Sequence, residues 1–98
     1  MDNFKQTRLH PDILKAISKI GFEIPTPIQA KTIPHLMASS HDLIATAQTG
    51  TGKTAAFGLP SIHLTDMKDR RTQTLILCPT RELCIQITKD FGNFSKYI

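Results

Sequence analysis

Residues 42–54 constrain this chain more than any other stretch. Asp42-Leu43-Ile44-Ala45-Thr46 is a short apolar run of strand length, Gly50 and Gly52 punctuate the residues that follow, and helix-forming residues begin at Lys53. A run without apolar–polar alternation reads as a strand buried on both faces, and a strand that feeds a helix through a tight loop is a unit of layered α/β folds. The pattern recurs at Thr74-Leu75-Ile76-Leu77-Cys78, which is stopped by Pro79. Thr80 can then cap a helix carrying Leu83, Ile87, Phe91 and Phe94 on one side. Upstream, Ile13, Ala16, Ile17 and Ile20 fall on one face of a helix that starts near Pro11 and closes at Gly21. Thr26-Pro27 reads as an N-cap with proline at the first helical position, and Pro34 is expected to kink or end the helix it opens. The order is therefore α-α-β-α-β-α. It predicts an α/β fold with a buried parallel sheet and flanking helices, although two readable strands, 42–46 and 74–78, are few for such a sheet.

Composition narrows the setting. The 98 residues hold 12 Lys+Arg against 8 Asp+Glu, a net charge of +4, with 40% hydrophobic and 20% charged residues. These values suit one small globular domain and argue against a disordered or collagen-like chain. The start, Met1-Asp2-Asn3-Phe4-Lys5-Gln6, does not read as a signal peptide and no window approaches the roughly 20 apolar residues of a membrane helix, so neither secretion nor membrane spanning is expected. Cys78 and Cys84 lack histidine neighbours, so they read as buried small apolar residues in a reducing cytoplasm, while the four histidines lack ligand spacing. A mild basic excess is compatible with a polyanionic partner without identifying one.

The loop carries chemistry. Ala47-Gln48-Thr49-Gly50-Thr51-Gly52-Lys53-Thr54 resembles the Walker A phosphate loop, with alanine in place of its first glycine. Glycines at 50 and 52 permit positive φ, so successive amides can point into one concavity that holds an anion, and the helix from Lys53 adds its positive dipole end. In this reading Lys53 reaches the terminal phosphates of a nucleotide and the Thr54 hydroxyl binds Mg²⁺. The alternative is a glycine turn that happens to contain a lysine.

Two further segments specify more. Gly21-Phe22-Glu23-Ile24-Pro25-Thr26-Pro27-Ile28-Gln29, with Phe4 upstream, resembles the Q motif (4–29) of the DEAD-box RNA helicases; residues 47–54 are similar to that family's own Walker A; and Pro79-Thr80-Arg81-Glu82-Leu83 resembles its motif Ia. The resemblance implies a RecA-like P-loop NTPase fold, present in part, with ATP and Mg²⁺ as cofactors and RNA as partner. It implies that Gln29 pairs with adenine, that Phe4 stacks on the base, and that Pro79, Thr80 and Arg81 meet the RNA backbone. An amide side chain offers the donor–acceptor pair that matches the adenine edge, and an arginine fork suits phosphate. A solvated helix residue at Gln29, a core anchor at Phe4, and a plain N-cap with surface charges at 80–82 are the alternatives.

ATP hydrolysis also needs an acidic pair for the metal and an arginine for transition-state charge. No apolar run in these 98 residues ends in such a pair. The expectation is a truncated first RecA-like domain (1–98) that binds ATP without hydrolysing it or unwinding duplexes. The resemblance further implies that 42–46 and 74–78 are not neighbours in the sheet, which leaves open edges, so the 98 residues are expected to be partly disordered, self-associated by strand exchange, or rearranged. A non-catalytic nucleotide- or RNA-binding module and a different P-loop NTPase are the competing readings.

Overall fold

The computed structural model describes residues 3–48, 50 and 52–98. A single 3₁₀ turn, Phe4–Thr7, precedes four helices: α1 (Pro11–Lys19), α2 (Pro27–Ala38), α3 (Lys53–Leu64) and α4 (Arg81–Phe94). α2 lies against α3, and α4 packs on both α3 and α1.

Local chemistry sets the helix ends. His10 caps α1 by accepting from the Asp12 N–H at 3.0 Å, and Pro11 takes the first helical position. Gly21, at φ 92°, follows the helix, and its N–H bonds to the Ser18 carbonyl at 3.1 Å. In α2, Thr26 is the N-cap and Pro27 again stands at the start. Pro34 does not end this helix, contrary to one branch of the expectation, because α2 runs on to Ala38. A proline inside a helix removes one N–H···O bond, yet the faces either side of Pro34 bury Ile33 completely, and that burial outweighs the lost bond.

The core forms where the apolar faces of these helices meet the 3₁₀ turn. Ile13, Ile17, Ile33 and Leu59 are essentially inaccessible, and Phe4, Leu9, Ala55 and Phe94 complete the cluster. Phe4 stacks on Phe22 with centroids 5.9 Å apart, and Phe22 meets Phe94 at 6.0 Å. The amino-terminal aromatic is thereby tied to the last helix.

The strands are a correction. Among the described residues none is in a β-ladder, so 42–46 and 74–78 are irregular segments and no sheet is present. Ile44, Leu75 and Leu77 are 95%, 79% and 86% exposed. Apolarity and length qualify a segment for a buried strand, but a strand exists only where a second backbone lies alongside to complete its hydrogen bonds. These two segments do not pair with each other. The loop before the second one is nonetheless ordered by polar bonds: Gln73 accepts from the Asp66 N–H at 2.9 Å, and Asp69 holds Arg71 at 2.8 Å. Hydrogen bonds from the Arg71 side chain keep the Asp69 carboxyl below its ordinary value.

Candidate functional site

α3 begins where the predicted phosphate loop ends. Gly50 and Gly52 have φ of 83° and 87°, the left-handed region that side chains disfavour. Gly52 is the N-cap of α3 and makes no side-chain cap bond, so the first-turn amides have no capping side chain among the described residues. Lys53 is exposed and has no acidic partner among the described residues, and Thr54 is half-buried beside it. Ala47 is half-buried and Gln48 exposed, while Thr49 and Thr51 lie outside the described residues. The start of α3 has the electrostatics of an anion site: first-turn N–H groups with no side-chain cap among the described residues, a helix N-terminus and a cation together.

Gln29 joins this loop to α2. It is 3% exposed; its Oε1 accepts from the Thr26 N–H at 3.0 Å, and its Nε2 donates to the Gly52 carbonyl at 3.1 Å. Thr26 and Gln29 thus occupy the two positions of a capping box, while Thr26 Oγ1 is buried with no partner in hydrogen-bonding geometry among the described residues. A Cβ at Gly52 would run into the Gln29 amide, which shows how closely the two backbones approach. A second tie lies one turn further along, where Thr32 Oγ1 donates to the Ile28 carbonyl at 2.7 Å and comes within 3.3 Å of the Ala56 carbonyl. Among the described residues each amide atom of Gln29 makes one bond, out of a capacity of two for Oε1 and two for Nε2.

The loop opens onto a cleft of about 500 Å³ between the start of α3 and the face of α4 that carries Leu83, Ile87 and Phe94. Asp90 and Asn93 also line it. Sequence reasoning missed these two because they belong to no motif; their spacing along α4 was the only signal. Phe4 is not in this cleft. It is 4% exposed, with its ring in the core against Phe22.

The third predicted group is separate. Pro79, Thr80 and Arg81 are all exposed. Thr80 Oγ1 accepts from the Leu83 N–H at 3.2 Å and so caps α4, which leaves the hydroxyl hydrogen available. Arg81 has no acidic partner among the described residues. The reading of both cysteines as buried is corrected here: Cys78 is half-buried and Cys84 exposed, both as free thiols, because the first turn of α4 is left uncovered.

No helix among the described residues is long and apolar enough to cross a membrane, and no group of three potential metal-ligating side chains occurs among them. Residues 26–98 match the DEAD/DEAH box helicase family. Among curated relatives, the chain is 48% identical over 95 residues to an ATP-dependent RNA helicase DeaD of Mycobacterium tuberculosis, covering 97% of this chain and 17% of that protein. It is 52% identical over 95 residues to an ATP-dependent RNA helicase CshA of Listeria monocytogenes, covering 97% of this chain and 18% of that one. The chain therefore spans less than a fifth of the length of these relatives. Among solved structures, S. cerevisiae Dbp5 bound to RNA and ADP BeF3 superposes with a TM-score of 0.96 at 33% identity, over 100% of this chain and 25% of that one. A DEAD box protein from the hyperthermophile Methanococcus jannaschii gives 0.92 at 40% identity, over 97% and 26%. The helices and the loops between them have the arrangement of part of a RecA-like domain.

Proposed function

The chain belongs to the DEAD/DEAH box helicase family, and we propose that it supplies the ATP-holding portion of an ATP-dependent RNA helicase that unwinds or remodels short RNA duplexes. The observation that carries this reading is the start of α3, a left-handed Gly52 cap where, among the described residues, no side chain caps the first-turn amides and Lys53 has no acidic partner. ATP phosphates complete those bonds. Ala47, Gln48, Thr49, Gly50, Thr51 and Gly52 form the cradle, Lys53 acts as a point charge on the terminal phosphates, and Thr54 offers one oxygen to Mg²⁺. Thr54 would hold Mg²⁺ through its hydroxyl, and the metal would supply charge neutralisation at the phosphates.

Gln29 then reads adenine with a further lone pair and hydrogen, while its other two positions hold Thr26 and Gly52. Base recognition and the shape of the phosphate loop are thereby linked through one side chain. In this reading Phe4 contributes by packing the Q motif against the core, since its ring already stacks on Phe22. Pro79, Thr80 and Arg81 bind RNA through its phosphates, a contact that is blind to sequence and weakened by salt. The Dbp5 structure that the chain resembles contains both RNA and ADP BeF3, which supports pairing these two roles. The exposed apolar residues of 42–48 and 72–78 support self-association of these 98 residues, and the overall composition suits the cytoplasm.

Calorimetric titration with Mg·ATP and Mg·GTP tests the reading. A preference for ATP of roughly tenfold, about the worth of one hydrogen-bonded pair, is expected, and Gln29→Ala should abolish it. Equal affinities for the two nucleotides, or binding that survives Lys53→Ala undiminished, would overturn it. The 98 residues should release no phosphate with single-stranded RNA present, because they provide no acidic pair after an apolar run.

A further inference from the structure

We propose that His63, in the last turn of α3, is a proton-sensitive latch that holds the start of α1 when its ring is neutral and releases it when protonated. The His10 N–H donates to His63 Nδ1 at 2.9 Å, across 53 positions of sequence. A backbone N–H can only donate, and a ring nitrogen accepts only when it carries no proton. The proton of neutral His63 therefore sits on Nε2. A second proton goes to Nδ1, two donors then face each other, and the bond is lost. The latch is closed at about pH 8 and open towards about pH 5, the interval in which histidine changes charge.

The position of the bond gives it leverage. The His10 carbonyl accepts from the N–H groups of Ile13 and Leu14 at 2.9 and 3.1 Å, so this one residue is bonded into α1 on one side and to α3 on the other. Opening is confined to the junction. Phe4 and Leu9 are buried, and Thr7 Oγ1 donates to the Phe4 carbonyl and accepts from the Leu9 N–H, which keeps the segment before His10 seated. Protonated His63 also gains something: it stands at the C-terminal end of α3, where free carbonyls and the helix dipole favour a cation.

The other imidazole responds differently. His10 Nδ1 accepts from the Asp12 N–H at 3.0 Å, and Asp12 Oδ2 lies 3.8 Å from it. On taking a proton His10 exchanges its cap bond for a pairing with that carboxylate, so α1 keeps a contact at its first turn. The remaining charged neighbours leave His63 to itself. Arg8 flanks His10, and Asp66 follows α3 with its Oδ1 accepting from the Lys68 N–H at 3.0 Å. Of the helices packed on α3, α2 carries Lys31 and His35, and α4 carries Arg81, Glu82, Lys89 and Asp90. Among the described residues, Asp12 is the one carboxylate at ion-pairing distance from either ring. The latch lies a helix length, about 18 Å, from Lys53 and does not rest on the nucleotide reading.

The test is NMR of the ¹⁵N-labelled chain between about pH 8 and about pH 5, reading the His63 ring tautomer and the protection of the His10 amide against exchange. At the alkaline end His63 should carry its proton on Nε2. Protection at His10, corrected for the intrinsic pH dependence of exchange, should fall by about tenfold on acidification, the upper end of what one hydrogen bond is worth. Its midpoint should coincide with the titration of the His63 ring. His63→Ala should show the low protection throughout the range, whereas His10→Asn, which preserves an N-cap for α1, should keep the pH dependence of that amide. A neutral His63 protonated on Nδ1, unchanged protection at His10, a midpoint that follows the His10 ring, pH dependence that survives in His63→Ala, or its loss in His10→Asn would each overturn the proposal. The tautomer and the midpoint are read on the unaltered chain and so decide the matter whether or not the variants fold.

Discussion

At residues 42–64 and again at 72–94 the chain runs through one arrangement, an apolar segment, a punctuated loop and a helix. In the first, α3 buries Ala55, Ala56, Leu59 and Pro60, and its entry loop is held from outside by Gln29. In the second, α4 buries only Ile87 and Phe94 while Leu83 and Ile85 remain 40% and 61% exposed, and its entry is held by its own Thr80. The difference lies in the neighbours. α3 sits between α2 and α4, so an external side chain can reach its loop, whereas the first turns of α4 face a cleft on one side and solvent on the other. The helix packed on two sides carries the conformationally demanding loop. α4, although it packs on both α3 and α1, leaves its first turns between the cleft and solvent and so carries the open turn.

The largest expected effect separates core from exposed segment. Leu59→Ala should lose about 2–5 kcal/mol in denaturant unfolding, as a completely buried leucine does, whereas Leu77→Ala should fall within about 0.5 kcal/mol of the parent. Similar losses at both positions would mean that the exposed segment is packed in solution, and the contrast would fail.

The next effect sharpens the loop. Alanine at Gly50 or Gly52 meets a left-handed backbone costing about 1–2 kcal/mol, but only at Gly52 does the new Cβ also strike the Gln29 amide. Gly52→Ala should therefore destabilise the chain more than Gly50→Ala, and amide exchange at Thr26 should accelerate only in the former. Matching behaviour in the two variants would remove Gln29 as the outside anchor.

The smallest effect belongs to the self-held turn. Thr80→Ala should cost about 1 kcal/mol, the usual value of an N-cap, and expose the Leu83 amide to exchange while leaving the Thr26 and Gly52 region unchanged. Spread of the change to α3 would show that the two junctions are coupled more tightly than their contacts indicate.

All four helices were legible in the sequence because their signals are local. Pro27 behind Thr26, Gly21 behind α1, Thr80 before α4 and the glycines before Lys53 each act within one turn of chain. The sheet was misread from equally clear apolar runs, since no local signal reports whether a partner strand is in place. For the site, residue types and spacing indicated Gly50, Gly52, Lys53 and Thr54. They did not indicate that Gln29 is bonded to Gly52 from a different helix, nor that Phe4 faces Phe22 in the core. Both are contacts between positions distant in sequence.

The sequence by itself determined where helices start and stop, which loop needs left-handed backbone, and which residue types stand ready for phosphate, because steric limits and hydrogen-bond capacity belong to residues and their near neighbours. Tertiary structure alone decided that Gln29 braces the loop, that Asp90 and Asn93 line its cleft, and that the apolar runs stand exposed. Each of those depends on which surfaces the packed helices bring together and which they leave uncovered.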